Sequence, residues 1–254
     1  MSLIDSHAHI YLNEFDTDRD EVISRAVSTG VEKILMPGID STTHQFMLDT
    51  EKMYPGICGS MMGLHPCSVK ANYRDELEIV EKYIVDQPFI AIGEIGLDFY
   101  WDLTYKEQQY EAFRQQLDWS VRHNLPVSIH SRNATAECIE VIREFGGQAR
   151  GVFHCFSGNG EQARALIELG FYLGIGGVLT FKNSGLDAVV RDLDLKSLVL
   201  ETDAPYLAPV PFRGKRNESG YLSYIVQKLA DIKETTVEEI ANVTTANAKN
   251  LFGL

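Results

Sequence analysis

The stretch Ser2-Leu3-Ile4-Asp5-Ser6-His7-Ala8-His9 places a short apolar run directly before two histidines. Residues two apart in an extended strand face the same way, so His7 and His9 project together, and Asp5 shares their face one layer deeper. One strand end therefore brings two imidazoles to a single point. A similar pattern, a strand-like run that leads to a residue able to bind metal, recurs at Glu94, His130, His154 and Asp203.

Short β-rich runs alternate with amphipathic stretches throughout the chain, which predicts a parallel sheet. Eight strands are expected, over residues 2–7, 31–37, 57–64, 89–93, 126–130, 151–154, 171–176 and 198–202. Eight is the strand number of the (β/α)8 barrel, which is typically about 250 residues long. The 254 residues are therefore expected to form one α/β domain, a TIM barrel over residues 1–254 with its metal site at the C-terminal ends of the strands.

Helical patterns fill the intervals between the predicted strands. They cover residues 18–28, 42–52, 74–85, 106–123, 134–145, 161–169 and 186–191, with two more at 220–232 and 237–251. Glycines directly follow several of these patterns, as at Gly170, and glycine past a helix end supplies the left-handed cap conformation.

The composition excludes several classes of protein. A net charge of −13 argues against a broad basic surface for nucleic acid, although a small phosphate pocket remains compatible with it. The first residues lack the basic and apolar regions of a signal peptide, and no apolar stretch is long enough to cross a bilayer. The four cysteines show no metal-binding or secreted spacing and are expected to be reduced. We therefore expect a cytoplasmic protein without membrane contact.

The expected ligands are nitrogen and oxygen donors without cysteine, which indicates a catalytic metal centre. A lone His-x-His pair is a weak signal. It gains weight because His130 and His154 also end strands on the face where barrel enzymes hold their active sites.

Two carboxylates are expected to complete this centre. Glu94 stands between Gly93 and Gly96, where small neighbours would let it bridge two metals, although a surface glutamate in a glycine turn is the alternative. Asp203 marks the exit of the eighth strand and is expected to be both ligand and base for the attacking water. Glu201, on the same face, is placed either to orient a liganding imidazole or to form a buried ion pair.

Substrate contacts are expected nearby. His65 ends the third strand and is interpreted as binding substrate, with a satisfied loop histidine as the alternative. Guanidinium groups match phosphate oxygens in a bidentate fork, and the candidates are Arg132, Arg213 and Arg216, unless they are ordinary solvated arginines. Two aromatic residues after the glutamate strand are placed either to stack on a base or to pack: Tyr100 and Trp101.

The chain lacks the glycine-rich dinucleotide and P-loop motifs, and it lacks the Gly-x-Ser-x-Gly elbow of serine hydrolases. Metal-activated water is therefore the expected nucleophile.

Six sequence runs together resemble the TatD-related metal-dependent hydrolases, a branch of the amidohydrolase superfamily. In family order they are Asp5-Ser6-His7-Ala8-His9, Gly63-Leu64-His65-Pro66, Gly93-Glu94-Ile95-Gly96-Leu97-Asp98, Ile129-His130-Ser131-Arg132, His154-Cys155-Phe156-Ser157-Gly158 and Glu201-Thr202-Asp203-Ala204-Pro205-Tyr206-Leu207. The likeness covers essentially the whole chain, and the six runs together are far more specific than any one of them.

The resemblance implies a centre for two divalent cations, which could be Mg, Mn, Zn or Ni. One metal would be held by His7, His9, Glu94 and Asp203, and the other by Glu94, His130 and His154. The implied activity is deoxyribonuclease chemistry, often 3′-to-5′ exonucleolytic, on DNA that is single-stranded or presents 3′ ends, with His65 at the scissile phosphate. No obligate protein partner is implied.

Two other functions stay open at this point. One is hydrolysis of a carboxyl ester, a lactone or an aminoacyl ester at the same metals. The other is a nucleic-acid quality-control module that binds its target with little turnover.

Overall fold

A computed structural model describes residues 2–254; Met1, the first residue of the predicted domain, lies outside this range. Eight parallel strands, β1 to β8, follow one another in chain order around the sheet. Their bounds are Leu3–Asp5, Val31–Pro37, Cys58–Met62, Ala91–Asp98, Val127–Arg132, Gly151–Phe153, Tyr172–Ile175 and Leu198–Leu200. This is the predicted TIM barrel, and the fold class is confirmed.

Nine α-helices are found within residues 2–254. Helices α1 to α9 span Arg19–Ser28, His44–Met53, Tyr73–Asp86, Lys106–His123, Thr135–Arg143, Gly160–Glu168, Leu186–Arg191, Leu222–Lys233 and Val237–Phe252. Each lies within about two residues of its predicted position at either end, which is the usual uncertainty of helix boundaries. None of these helices is long and apolar enough to cross a membrane.

The barrel closes between β1 and β8 through backbone hydrogen bonds and one buried carboxylate. Ser6 N–H donates to the Leu200 carbonyl at 3.0 Å, and Asp203 N–H donates to the His7 carbonyl at 2.9 Å. Asp5, fully buried, accepts from both the backbone N–H and the hydroxyl of Thr202, at 2.9 and 2.6 Å. Asp5 therefore joins the first strand to the end of the last.

The bottom of the barrel is apolar and is covered by the C-terminal helix. One hydrophobic cluster combines inward-facing strand residues with the end of α9, where Leu251 and Phe252 lie. Its strand members are Ile4, Leu35, Met61, Ala91, Val152 and Val199. The top of the barrel, by contrast, holds buried polar residues such as His7, Ser128 and Glu201. The buried histidines and carboxylates of the barrel interior thus lie towards the C-terminal ends of the strands.

Strand β4 is longer than predicted: the prediction ended it at Gly93 and placed Glu94 just past its end, with a surface glycine turn as the alternative. The strand continues to Asp98, and its pairing with β5 shifts register between Ile92 and Ile95. A glycine inside a strand often marks a bulge or a close backbone approach. Here a Cβ on Gly93 would lie 2.8 Å from the Ser128 Cβ, so this glycine lets β5 approach. Glu94 therefore sits inside the barrel and not in a surface turn.

Replacing Asp5 with alanine should destabilise the fold, because it leaves two donors of Thr202 buried without an acceptor. An unsatisfied buried polar group costs about 1–3 kcal/mol, so we expect a loss of at least about 2 kcal/mol in urea unfolding. The control is Asp187→Ala on the exposed surface of α7, where a change within about 0.5 kcal/mol is expected. Equal stability of the two variants would show that Asp5 does not secure the barrel closure.

Candidate metal centre

Glu94 lies at the centre of the polar cavity floor and presents each carboxylate oxygen to a different set of imidazoles. Its Oε2 is 3.2 Å from Nε2 of His7 and 3.3 Å from Nε2 of His9. Its Oε1 is 2.9 Å from Nδ1 of His130 and 2.9 Å from Nε2 of His154. The carboxylate therefore divides the histidines into the same two groups that the family resemblance implied.

Asp203 stands beside the first of these groups. Its Oδ1 is 3.9 Å from Nε2 of both His7 and His9. Ligand atoms of His7, His154 and Asp203 also lie within 4.8 Å of one another, as do those of His7, His9 and Glu94. All six residues predicted as metal ligands are thus brought together from five different strand ends.

Two of the four ligand imidazoles contact a hydrogen-bond acceptor through the ring nitrogen that points away from Glu94. His130 Nε2 lies 2.9 Å from Oδ2 of Asp98. His9 Nδ1 lies 3.1 Å from the Tyr11 hydroxyl, which donates its own proton to the Pro37 carbonyl and so accepts from His9. An imidazole that donates from one nitrogen keeps the lone pair of the other free for a metal.

The remaining two ligand histidines have weaker or less directional partners. His154 Nδ1 lies 3.5 Å from Oε1 of Glu201, an ion-pair distance without hydrogen-bond geometry. Glu201 is fully buried and also accepts the backbone N–H of Cys155. His7 Nδ1 lies 3.0 Å from the Ser128 hydroxyl. Glu201 thus stands where it was predicted, beside a candidate ligand.

His65 is oriented in the opposite sense. Its Nδ1 accepts the backbone N–H of Cys67 at 3.0 Å, and its Nε2 lies 3.2 Å from Oε1 of Glu94. A neutral His65 must therefore carry its proton on Nε2, the nitrogen that faces the site. This orientation favours a hydrogen-bond donor to an anion over a metal ligand, although the distances alone group His65 with Glu94 and His130.

The charges in this cluster shift one another's proton affinity. Burial would raise the pKa of Glu94, but His65, His154 and His7 outweigh it and hold that pKa well below the usual value. Burial raises the pKa of Asp203 to about 6, against the lowering effect of His154 and His9. Burial lowers the pKa of His154, but Glu94 and Glu201 reverse this and raise it well above the usual value.

The donor set fits divalent metal. Four imidazoles and two carboxylates converge without cysteine, which is the nitrogen and oxygen chemistry that Zn, Mn, Ni and related cations accept. Glu94 is 2% exposed, and a charge so deeply buried needs cationic partners. Imidazoles that bind a metal are neutral, so bound cations would replace the positive charge that protonated imidazoles otherwise supply.

A cavity of about 750 Å³ opens above these residues. Arg132 and Arg213, both expected to bind phosphate, line it together with His65 and Trp101. Arg216 does not: its guanidinium is engaged with Asp18 at 2.6 and 2.8 Å. The expectation that Arg216 holds phosphate is therefore wrong, because an acidic residue of the loop before α1 occupies its bidentate fork.

Asp98 is a site residue that sequence reasoning missed. It lines the cavity and contacts His130, but the strand was predicted to end at Gly93, which removed Asp98 from consideration. The signal was present: Glu94 and Asp98 are four residues apart and share one face of a continuous strand. Recognising β4 as eight residues long would have found it.

Comparison with known proteins agrees with this geometry. A family model described as TatD related DNase matches residues 4–253. The chain belongs to the TatD family. The resemblance inferred from the six motifs is thereby confirmed.

Individual relatives match over nearly the full length. YabD of Bacillus subtilis (strain 168), described as an uncharacterized metal-dependent hydrolase, is 40% identical over 252 residues, which is 98% of each chain. A 3′-5′ ssDNA/RNA exonuclease TatD of Pectobacterium parmentieri is 33% identical over 260 residues, covering 99% of this chain and 100% of that one. The crystal structure of YjjV, a TatD homolog from Escherichia coli K12, superposes with a TM-score of 0.93 at 30% identity, covering 99% and 98% of the two chains. This TatD protein is a metal-dependent hydrolase.

Saturating divalent metal should stabilise this TatD protein, because metal binds the folded cluster and not the dispersed ligands. A metal concentration of 100 times Kd is worth about 2.7 kcal/mol, measurable as a rise in Tm that chelator reverses. Glu94→Gln should abolish most of that rise, since an amide has no negative charge and only one oxygen to offer the two ligand groups. The control is Glu21→Gln on the exposed face of α1, which should behave as the parent. A full metal-dependent shift in Glu94→Gln would rule out Glu94 as the shared ligand.

Proposed function

We propose that this TatD protein is a deoxyribonuclease that hydrolyses phosphodiester bonds of DNA at a centre of two divalent cations. The observation that carries the proposal is the division of Glu94, with one oxygen facing His7 and His9 and the other facing His130 and His154. A shared carboxylate between two ligand groups is the arrangement expected for a metal pair. Paired metals are common in phosphatases, nucleases and polymerases.

Each residue then has a role in the proposed hydrolysis. His7, His9, Glu94 and Asp203 would hold one cation, and Glu94, His130 and His154 the other. Bound cations would neutralise the phosphate charge and lower the pKa of the attacking water. Asp203 would accept the proton of that water, a role that needs a carboxylate within hydrogen-bond reach of the nucleophile.

The residues that line the cavity above the candidate metal centre favour an anionic substrate. His65 presents an Nε2–H to the centre, which suits a non-bridging phosphate oxygen. Arg132 and Arg213 line the same cavity and offer planar forks that match phosphate. The 3′-5′ ssDNA/RNA exonuclease name of the Pectobacterium relative favours single-stranded substrates cut from the 3′ end.

Asp203→Asn should lower kcat for DNA hydrolysis by about 10²- to 10⁴-fold, the usual worth of a general base, because an amide cannot take the proton. Metal content, measured by elemental analysis of the same preparation, should stay near that of the parent protein. Hydrolysis close to the parent rate with metal retained would remove Asp203 from the role of base.

A metal-by-substrate matrix tests the substrate class directly. Purified protein is assayed with Mg, Mn, Zn and Ni on single-stranded DNA, duplex DNA, RNA, a carboxyl ester and a lactone. We expect single-stranded DNA to be cut progressively from its 3′ end, and Glu94→Ala and His130→Ala to lose this activity. Turnover of only the ester or the lactone would instead favour carboxyl-ester chemistry, and metal-independent DNA binding without turnover would favour a binding module.

A further inference from the structure

The loop after β4 connects the candidate metal centre to two exposed aromatic rings. Asp98 uses one carboxylate oxygen for His130 Nε2, at 2.9 Å. Its other oxygen accepts the backbone N–H groups of Tyr100 and Trp101, at 2.9 and 3.3 Å. A single buried carboxylate therefore fixes the position of the aromatic loop relative to a candidate ligand.

Trp101 is exposed although it lines the cavity. Its relative exposure is 68%, while the other tryptophan of the chain, Trp119, is 2% exposed and donates to Glu81. The Tyr100 ring meets Trp101 edge-on at 4.8 Å and supports it from the side. A large ring that is mostly exposed at a cavity mouth offers a face to a planar ligand.

Arg132 completes this loop with an unpaired positive charge. Its guanidinium lies 3.8 Å from the Tyr100 ring centroid and 5.1 Å from that of Trp101. Within residues 2–254 it makes no salt bridge, and neither do Arg213 and Lys215, which line the same cavity. Unpaired cations gathered at one mouth are unusual in a chain of net charge −13, and they suit a ligand that carries several anionic groups.

We propose that Trp101 and Arg132 form a subsite for one unpaired nucleotide of a single-stranded nucleic acid, next to the phosphate that is cut. The Trp101 ring would stack on the base, and the Arg132 guanidinium would pair with a phosphate of the same strand. This inference rests on the proposed function and adds the substrate determinant. Bases in a duplex have both faces covered by their neighbours, so the subsite selects single strands whatever their sequence.

The kinetic test compares a long and a short substrate. Trp101→Ala should raise KM for a 12-nucleotide single-stranded DNA about tenfold or more, in line with the loss of one stacked base, and leave kcat within a few-fold. The change in KM for bis(p-nitrophenyl) phosphate, which is too small to reach both groups, should be at least tenfold smaller. Phe46→Ala is the matched control, since Phe46 is an aromatic on α2 with 62% exposure that does not line this cavity.

The binding test does not depend on turnover. Trp119→Phe leaves Trp101 as the only tryptophan, and its fluorescence should be quenched by single-stranded DNA but not by the duplex of the same sequence. Measurements are made on the full-length protein, as purified and after chelation. Arg132→Gln should reduce the slope of log Kd against log salt by about 0.7, the contribution of one phosphate contact on a single strand.

The outcomes separate this inference from the proposed function. If the parent protein hydrolysed neither the 12-mer nor the small diester, the proposed function would be overturned. Normal hydrolysis of both, with Trp101→Ala equal to Phe46→Ala on the 12-mer, would overturn the subsite alone. Equal quenching by duplex and single strand would also overturn it, because a paired base cannot offer a free face.

Discussion

The buried carboxylate of Glu94 is the constraint on which the site depends. A carboxylate at 2% exposure loses its hydration, and the free energy of that loss must be offset by charge or hydrogen bonds. Five imidazoles surround it, one from strand β5 and four from the segments that follow β1, β3 and β6. They are His7, His9, His65, His130 and His154. A closed parallel barrel brings many strand ends together, and this convergence supplies the partners that the buried charge needs.

The backbone around Glu94 is packed to hold that carboxylate in place. Its N–H donates to the Gly38 carbonyl at 3.0 Å, which fixes the residue against the end of β2. A Cβ on Gly63 would lie 2.8 Å from the carbonyl carbon of Gly93, so β3 can approach β4 only with glycine there. His44, buried on α2, contacts the Gly63 carbonyl at 3.0 Å through Nε2. The position of the Glu94 carboxylate thus depends on β2, β3 and α2.

The fold and the convergence of the candidate ligands were predictable because both follow from strand ends. Apolar runs with a ligand after each identify a barrel face, and β2, α4 and α7 have the predicted bounds. The contents of the loops were not predictable in the same way. Asp98 was missed because the strand was predicted to end at Gly93, whereas long-range pairing with β5 extends it to Asp98. Arg216 was misassigned because its partner, Asp18, lies nearly 200 residues away in sequence and nothing local indicates the pair.

The choice of partner for each arginine after β8 explains how an acidic protein keeps a cationic cavity mouth. Arg216 pairs with Asp18, and Glu218 pairs with Arg25 at 2.6 Å, so the segment after β8 is tied both to the residue before α1 and to α1 itself. Arg213, by contrast, lies over the Phe181 ring at 3.5 Å and has no carboxylate partner within residues 2–254. Ion pairs thus hold the segment after β8 in place. The Phe181 ring positions Arg213, which lines the cavity, and leaves its charge unneutralised. An arginine on a ring keeps its charge for an anion, so the distribution of partners, more than the net charge of the chain, determines what the cavity attracts.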